Sequence, residues 1–391
     1  MFNEDVNKMI DEEKLRQALH ELTKTLLSEE KYDTSLLKPD RSFMHFRSYY
    51  AIIRGDADNI GKLSRGEVDL GNYVSFLEQL KQSSDPKTPV RAYNRLIDVI
   101  NGLIKERVGL VVTPTYYAAL SMALIVTALK DALTANFKYY ITPITGLIFS
   151  GGDDILALAP TEVAVSMVKD LRSNYWGDED GFHVISNYYV AVPRAYGFGR
   201  SLSLRLANIM DVMSEEVREA VELLDGVAKY TTWALNGKEL SKDTLVISES
   251  RTGKFAVLPL SDPSRNEILS IPDVLNEFFA LRLGGALSGN VPEDYGWYRD
   301  IMETLINSCN KQMMNDVWNH VIWRNTKITE LRESIKANLS ITTLGQVYNI
   351  DPCGKTVIKE GEEAADRSGE SRGTNIINEL VRAYEVLRGY P

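Results

Sequence analysis

The sequence predicts an α+β fold: a strand-and-helix domain over residues 41–260, a helical segment at 1–40 before it and a helical domain at 261–391 after it. Three observations carry this. The apolar, aromatic run Ser48–Ile53 leads into Arg54-Gly55-Asp56-Ala57-Asp58, and a second run, Leu147–Phe149, leads into Gly151-Gly152-Asp153-Asp154. Mostly helical sequence at 65–140 separates the two. After Pro259 the strand signals stop and helical patterns take over.

Each element has its own signal. Residues 1–40 read as a charged helix and a linker closing on Lys38-Pro39-Asp40. Thr113-Pro114 marks a helix start, with a capping hydroxyl and a proline in the first turn. The apolar helix it begins, read as Tyr116–Leu129, is too short to span a bilayer and runs into Lys130-Asp131. Gly146–Pro160 reads as a hairpin of two buried strands turning at Gly151-Gly152. A helix follows at Thr161–Tyr175, then strands at Val184–Val192 and Arg200–Leu206. An amphipathic helix at Glu215–Tyr230 and strands at Thr244–Ser248 and Phe255–Leu258 complete the middle domain. The charged stretch Gly361–Gly373 has the composition of a mobile segment.

Composition bounds the function. A chain of 391 residues with 44% hydrophobic content can bury at least one full core. A net charge of −10 and a pI near 5.2 argue against coating nucleic acid through bulk charge. Cys309 and Cys353 are too few for a disulfide framework or a zinc ribbon. The opening MFNEDVNKMIDEEK is acidic and polar, unlike a secretory leader. Together these lead us to expect a soluble, cytoplasmic protein with no membrane role.

The chemistry sits in the two acidic turns. Adjacent anions at a rigid tip repel one another unless a cation or a cluster of donors faces them. If the two strands are neighbours in one sheet, Asp56, Asp153 and Asp154 converge at one edge. Hard oxygen ligands of this kind suit Mg²⁺ or Mn²⁺, and two such ions can hold a triphosphate for nucleotidyl transfer. Either turn alone is ordinary turn or capping chemistry. Both together, each closing a hydrophobic strand, make a metal site the better reading.

The order strand–Asp-x-Asp, helices, strand–Gly-Gly-Asp-Asp–strand resembles the ferredoxin-like palm of diguanylate cyclases and class III nucleotide cyclases. It is most similar to the large polymerase/cyclase subunit of type III CRISPR effector complexes, Cmr type. The resemblance rests on YYAIIRGDADNIGKL, TPTYYAALSMAL, GLIFSGGDDILALAP, GRSLSLRLAN, ELLDGVAKY and KDTLVIS, over Tyr49–Leu260. It implies Asp56 and Asp154 as principal metal ligands, Asp153 in support and the Ala57 carbonyl as an added ligand. It implies Lys229 on the triphosphate, with a solvated helix lysine as the plain alternative. Gly151 and Gly152 would let a nucleotide approach the backbone. Asp58, Arg200 and Ser201 would lie near the nucleotide, although helix capping and sheet packing are the commoner fates of such residues.

The implied activity is polymerisation of ATP into short, cyclic oligoadenylates once the complex binds target RNA. Its implied partners are the other effector subunits, crRNA and target RNA. The family's His-Asp nuclease motif, first palm and cysteine zinc site are absent from this sequence. The resemblance is therefore to the C-terminal half of a large subunit, with a second palm supplied by another chain. A catalytically silent scaffold subunit and a free-standing homodimeric cyclase are the competing readings.

Overall fold

The structure is a computed structural model of the chain. It describes residues 12–27, 30–39, 49–67, 74, 78, 90–106, 111–138, 146–176, 183–185, 188–190, 199–262, 267–358 and 374–388. The stretch Gly361–Gly373 lies outside the described residues, as do residues 186, 187, 191 and 192 of the strand expected at Val184–Val192, and the described remainder belongs to two short strands, not one.

The strands that matter for the site are β1 (Tyr49–Ala57), β2 (Gly146–Ser150), β3 (Ile155–Ala159) and, after a small β4–β5 ribbon (His183–Ile185, Tyr188–Val190), β6 (Arg200–Asn208). β7 (Thr231–Leu235) and β8 (Lys238–Ser241) pair with each other, and β9 (Thr244–Glu249) and β10 (Phe255–Pro259) join the main sheet. That sheet has six strands in the order β10-β9-β6-β1-β3-β2 and is mixed, with only β6–β9 parallel. The chain reaches β2 and β6 by way of helices, which gives a β-α-β-β-α-β unit around β1.

The helices here are α1 (Glu12–Leu26), α2 (Ile60–Ser64), α3 (Val90–Lys105), α4 (Pro114–Leu133), α5 (Thr161–Trp176) and α6 (Met213–Leu223). α5 and α6 cover opposite faces of β1 and β6. Ala51 and Ile53 pack on the α5 side, and Tyr50 and Ile52 on the side of Ala220 in α6. A strand buried on both faces must be apolar throughout, and that explains the unbroken run YYAII. The strand also runs further than its apolar core, through Asp56 to Ala57, because β3 and β6 supply ladder partners on both sides.

Two expectations change at the hairpin. β2 is an edge strand rather than a buried one, with Ile148 and Phe149 each 51% exposed. A β-bulge between Leu147 and Phe149 breaks the alternation and lets consecutive residues face outward. The helix α4 does not stop at Leu129 but continues through Lys130-Asp131 to Leu133 and a π-turn at Thr134–Lys138. It can continue because Asp131 is neutralised by a buried arginine, Arg200. Its start is as expected, with the Thr113 hydroxyl accepting from the Tyr116 N–H. Residues 114–136 are long and apolar enough to cross a membrane by length and composition, and a third of their most apolar 18-residue stretch is buried in this structure.

The C-terminal third shares its core with the sheet. It holds α7 (Ile271–Leu283), α8 (Val291–Asn307), α9 (Lys311–Asn325), α10 (Arg332–Asn338), α11 (Ile341–Gln346) and α12 (Ile376–Arg388). One hydrophobic cluster runs from Ile53 and Leu204 in the sheet to Phe278, Trp318 and Tyr384 in these helices. α12 packs on β10, where the Glu379 carboxylate accepts from the Val257 N–H at 2.7 Å. The segment Lys355–Ile358 pairs with β7. The two cysteines, too few for a framework, form one staple: Cys309 and Cys353 are disulfide-bonded across 44 residues.

Candidate metal and nucleotide site

Register decides which of the acidic residues meet. β1 and β3 run antiparallel with Gly55 opposite Ile155, and the next rung therefore sets Asp56 opposite Asp154. The rung after that is closed by a hydrogen bond from the Ala57 N–H to the Asp153 carbonyl, 3.1 Å. On its other side Asp56 faces Ser201, and Ala57 faces Arg200. Alternation then puts Arg54, Asp56 and Asp154 on the α6 side of the sheet.

Each carboxylate has a cation. Asp154 takes a 2.6 Å bond from the Arg54 guanidinium, which also donates to the carbonyls of Gly55 and Ile155. Lys229, just past the π-turn Leu224–Ala228, places its ammonium 2.5 Å from Asp56 and 2.8 Å from Asp225. Burial and, after it, the nearby Asp154 push the Asp56 carboxyl above the usual range, against the pull of Lys229. Burial alone would lower the Lys229 ammonium, but Asp225 and Asp56 outweigh it and raise its pKa. The site is a partly open pair of carboxylates flanked by two cations.

Not every expected residue joins it. Asp153 turns back on the hairpin, its carboxylate accepting from the Asp154 N–H at 2.9 Å. Among the described residues no group of three or more His, Cys, Asp or Glu is placed to hold a metal ion. The expected three-carboxylate cluster is thus a pair. Gly151 is exposed at the tip, whereas Gly152 is buried against Leu124 of α4. Ala57 ends β1 and is buried.

Arg200 and Ser201 are fully buried. Arg200 lies on the α5 side of the sheet, 2.8 Å from Asp131, so the sheet stands between it and the carboxylate pair. Ser201 donates to Asp58, and Asp58 also accepts from the Asp243 N–H at 2.8 Å. Asp58 is therefore an interior acceptor rather than a nucleotide contact or a helix cap. Arg54 and Asp131 were not expected to take part, yet Arg54 pairs with Asp154 and Asp131 with Arg200. Arg54 had a legible signal, since it sits two residues before Asp56 on the same strand face.

Burial, and then the Asp243 carboxylate, push the Asp58 carboxyl up to about 7. An unfolded aspartate titrates near ~3.9. Between those values the folded chain keeps a proton that the unfolded chain has released. This contribution to stability is full below about pH 4 and is lost as pH rises toward about 7. In Asp58→Asn the melting temperature is expected to depend less on pH across that window than in the parent chain. Parallel melting curves for the two would show that Asp58 titrates as an ordinary carboxylate.

Residues 49–234 match the family described as Cas10/Cmr2, second palm domain. This segment is a Cas10/Cmr2 palm. The chain is homologous to Cmr2 over part of the Cmr2 chain. The CRISPR system CMR subunit Cmr2 of Saccharolobus solfataricus is 27% identical to it, over 65% of this chain and 32% of the relative. The chain thus spans about a third of the length of that curated relative. Its fold is similar to a cryo-EM structure of type III-B Cmr-beta in the apo state, with TM-score 0.64 and 20% identity. That match covers 89% of this chain and 39% of the other. Type III-B Cmr-beta bound to cognate target RNA is similar at TM-score 0.62 and 19% identity, over 88% and 39% of the two chains. The palm's two carboxylates fit a divalent cation. Mg²⁺ commonly takes only one or two protein carboxylates and completes its shell with water and substrate phosphate, and a two-carboxylate site leaves room for both.

Proposed function

We propose that this chain is the palm-bearing part of a type III-B CRISPR effector that converts ATP into cyclic oligoadenylate messengers when the complex binds target RNA. The observation that carries the reading is the rung of β1 and β3 that sets Asp56 opposite Asp154, with Lys229 and Arg54 beside them. A bound Mg²⁺ or Mn²⁺ would be held by Asp56 and Asp154 and would supply charge stabilisation to phosphate oxygens. Lys229 and Arg54 give a triphosphate two further positive groups. In the transfer, a 3′-hydroxyl oxygen bonds to an α-phosphorus, the bond to pyrophosphate breaks, and the hydroxyl proton passes to solvent. On this reading the chain works in the cytoplasm beside crRNA and target RNA, which are read by base pairing and backbone shape.

The surface beside the hairpin supports a partner. Met122, Ile125, Leu129 and Leu133 form an exposed apolar stripe on α4, and Ile148 and Phe149 add to the exposed apolar surface on the neighbouring β2. A contiguous apolar patch of this kind marks a contact surface. We assign it to a second palm-bearing chain. The scaffold alternative draws on the neutralised state of both carboxylates, each already ion-paired without metal.

Calorimetry separates the two. ATP is expected to bind the chain only with Mn²⁺ or Mg²⁺ present, and Asp56→Asn to weaken that binding. Equal ATP affinity in EDTA would sink the catalytic reading.

A further inference from the structure

We propose that Arg200 and Asp131 form a strut that positions the Gly-Gly-Asp-Asp hairpin, tying it from behind to α4 and α5. The arrangement of donors points there. Arg200 donates to the Gly152 carbonyl at 2.9 Å, the Asp153 carbonyl at 3.2 Å, the Asp131 carboxylate at 2.8 Å and the Leu171 carbonyl at 3.3 Å. Its guanidinium also lies over the Tyr175 ring, 5.4 Å from the centroid. One planar fork thus grips two consecutive hairpin residues, the α4 carboxylate and an α5 carbonyl. A fork fixes direction in a way that a point charge does not.

Asp131 is used on both oxygens. Besides Arg200 it accepts from Asn174 of α5 at 3.1 Å and from Ser150, the last residue of β2, at 3.3 Å. Gly152 adds a steric contact on the same helix. Its φ is +92°, and a Cβ there would lie 2.2 Å from the Leu124 carbonyl oxygen of α4. Residues 150, 152 and 153 are therefore each pinned, and Asp154 follows directly. Apolar residues of similar volume often replace a buried ion pair without loss of stability. What the pair contributes is the placement of the hairpin backbone.

Arg200 is a positioning residue: it is fully buried, and the carboxylate pair lies on the far face of the sheet. The consequence for metal binding rests on the function proposed above, whereas the placement of the hairpin does not. The experiment reads both in the full chain. The variants are Arg200→Met with Asp131→Leu, which removes both charges at similar volume, and Arg200→Lys, which keeps the charge but loses the fork.

Hydrogen exchange is followed at the Gly151 and Ala57 amides, whose N–H groups bond to the Asp154 and Asp153 carbonyls. Manganese affinity and melting temperature are measured alongside. The double variant is expected to melt like the parent, exchange faster at both amides and bind Mn²⁺ about 10- to 100-fold more weakly, as loss of a group supporting a metal ligand does. Arg200→Lys is expected to lie between. If the double variant fails to fold, Arg200→Lys decides by the same exchange measurement. Unchanged exchange in a folded variant would overturn the strut. So would a lowered melting temperature with parental exchange and Mn²⁺ affinity. A parent chain that binds no Mn²⁺ would overturn the metal reading alone, and the amides would still decide the strut.

Discussion

Asp153→Ala combined with Asp154→Ala is expected to abolish nucleotide products from the assembled effector while leaving solubility and assembly intact. Asp154 is a third exposed and binds Arg54 at the surface of the sheet, so its removal opens no cavity in the core. Arg54 keeps its bonds to the Gly55 and Ile155 carbonyls when Asp154 is removed, so its charge is not left without acceptors. Asp153 gives up one hydrogen bond to the Asp154 N–H, worth about 1 kcal/mol. Turnover, in contrast, depends on charge placed where the transition state needs it, and one such group is commonly worth ~10²–10³-fold. Losing a metal ligand and its neighbour together should exceed that. Mass spectrometry of products from labelled ATP, Mn²⁺ and target RNA checks the expectation. Insoluble or unassembled variant protein would assign the two aspartates to structure instead.

The chain alone is expected to be inactive or nearly so, and to gain activity on joining a second palm-bearing chain. Among the described residues there is one strand–Asp and one Gly-Gly-Asp-Asp hairpin, and they belong to the same sheet. Transfer between two nucleotides needs the acceptor hydroxyl held in line with the donor phosphate. Such positioning can be worth ~7–11 kcal/mol of barrier. A palm whose acceptor side faces water forfeits most of it. The apolar stripe of α4, with Ile148 and Phe149 beside it, gives such a partner a surface to dock on. Activity should appear only with the partner. Activity rising with the square of chain concentration would point to a homodimer, and robust synthesis by a confirmed monomer would overturn the argument.

Much of this protein was local enough to be determined by its sequence. Apolar runs ending in Gly and Asp specify strands that stop at a turn, and Thr113-Pro114 specifies where α4 begins. The pairing of Asp56 with Asp154 was legible as soon as two such strands were taken as neighbours. What the sequence could not decide was direction. Ser201 and Arg200 are adjacent, yet one bonds Asp58 and the other reaches behind the hairpin to Asp131. Which way each points depends on the register of β6 against β1, and a shift of one residue would exchange their faces. Asp131 read as the polar end of a helix because its partner lies 69 residues away, beyond any local window. The same holds for the exposure of Phe149, which follows from a bulge on an edge strand, and for the shared core of the C-terminal helices. Periodicity fixes which residues of an element are apolar. Only the packing of distant elements decides which apolar face meets which, and a buried charge can be tolerated only where that packing brings its counter-charge.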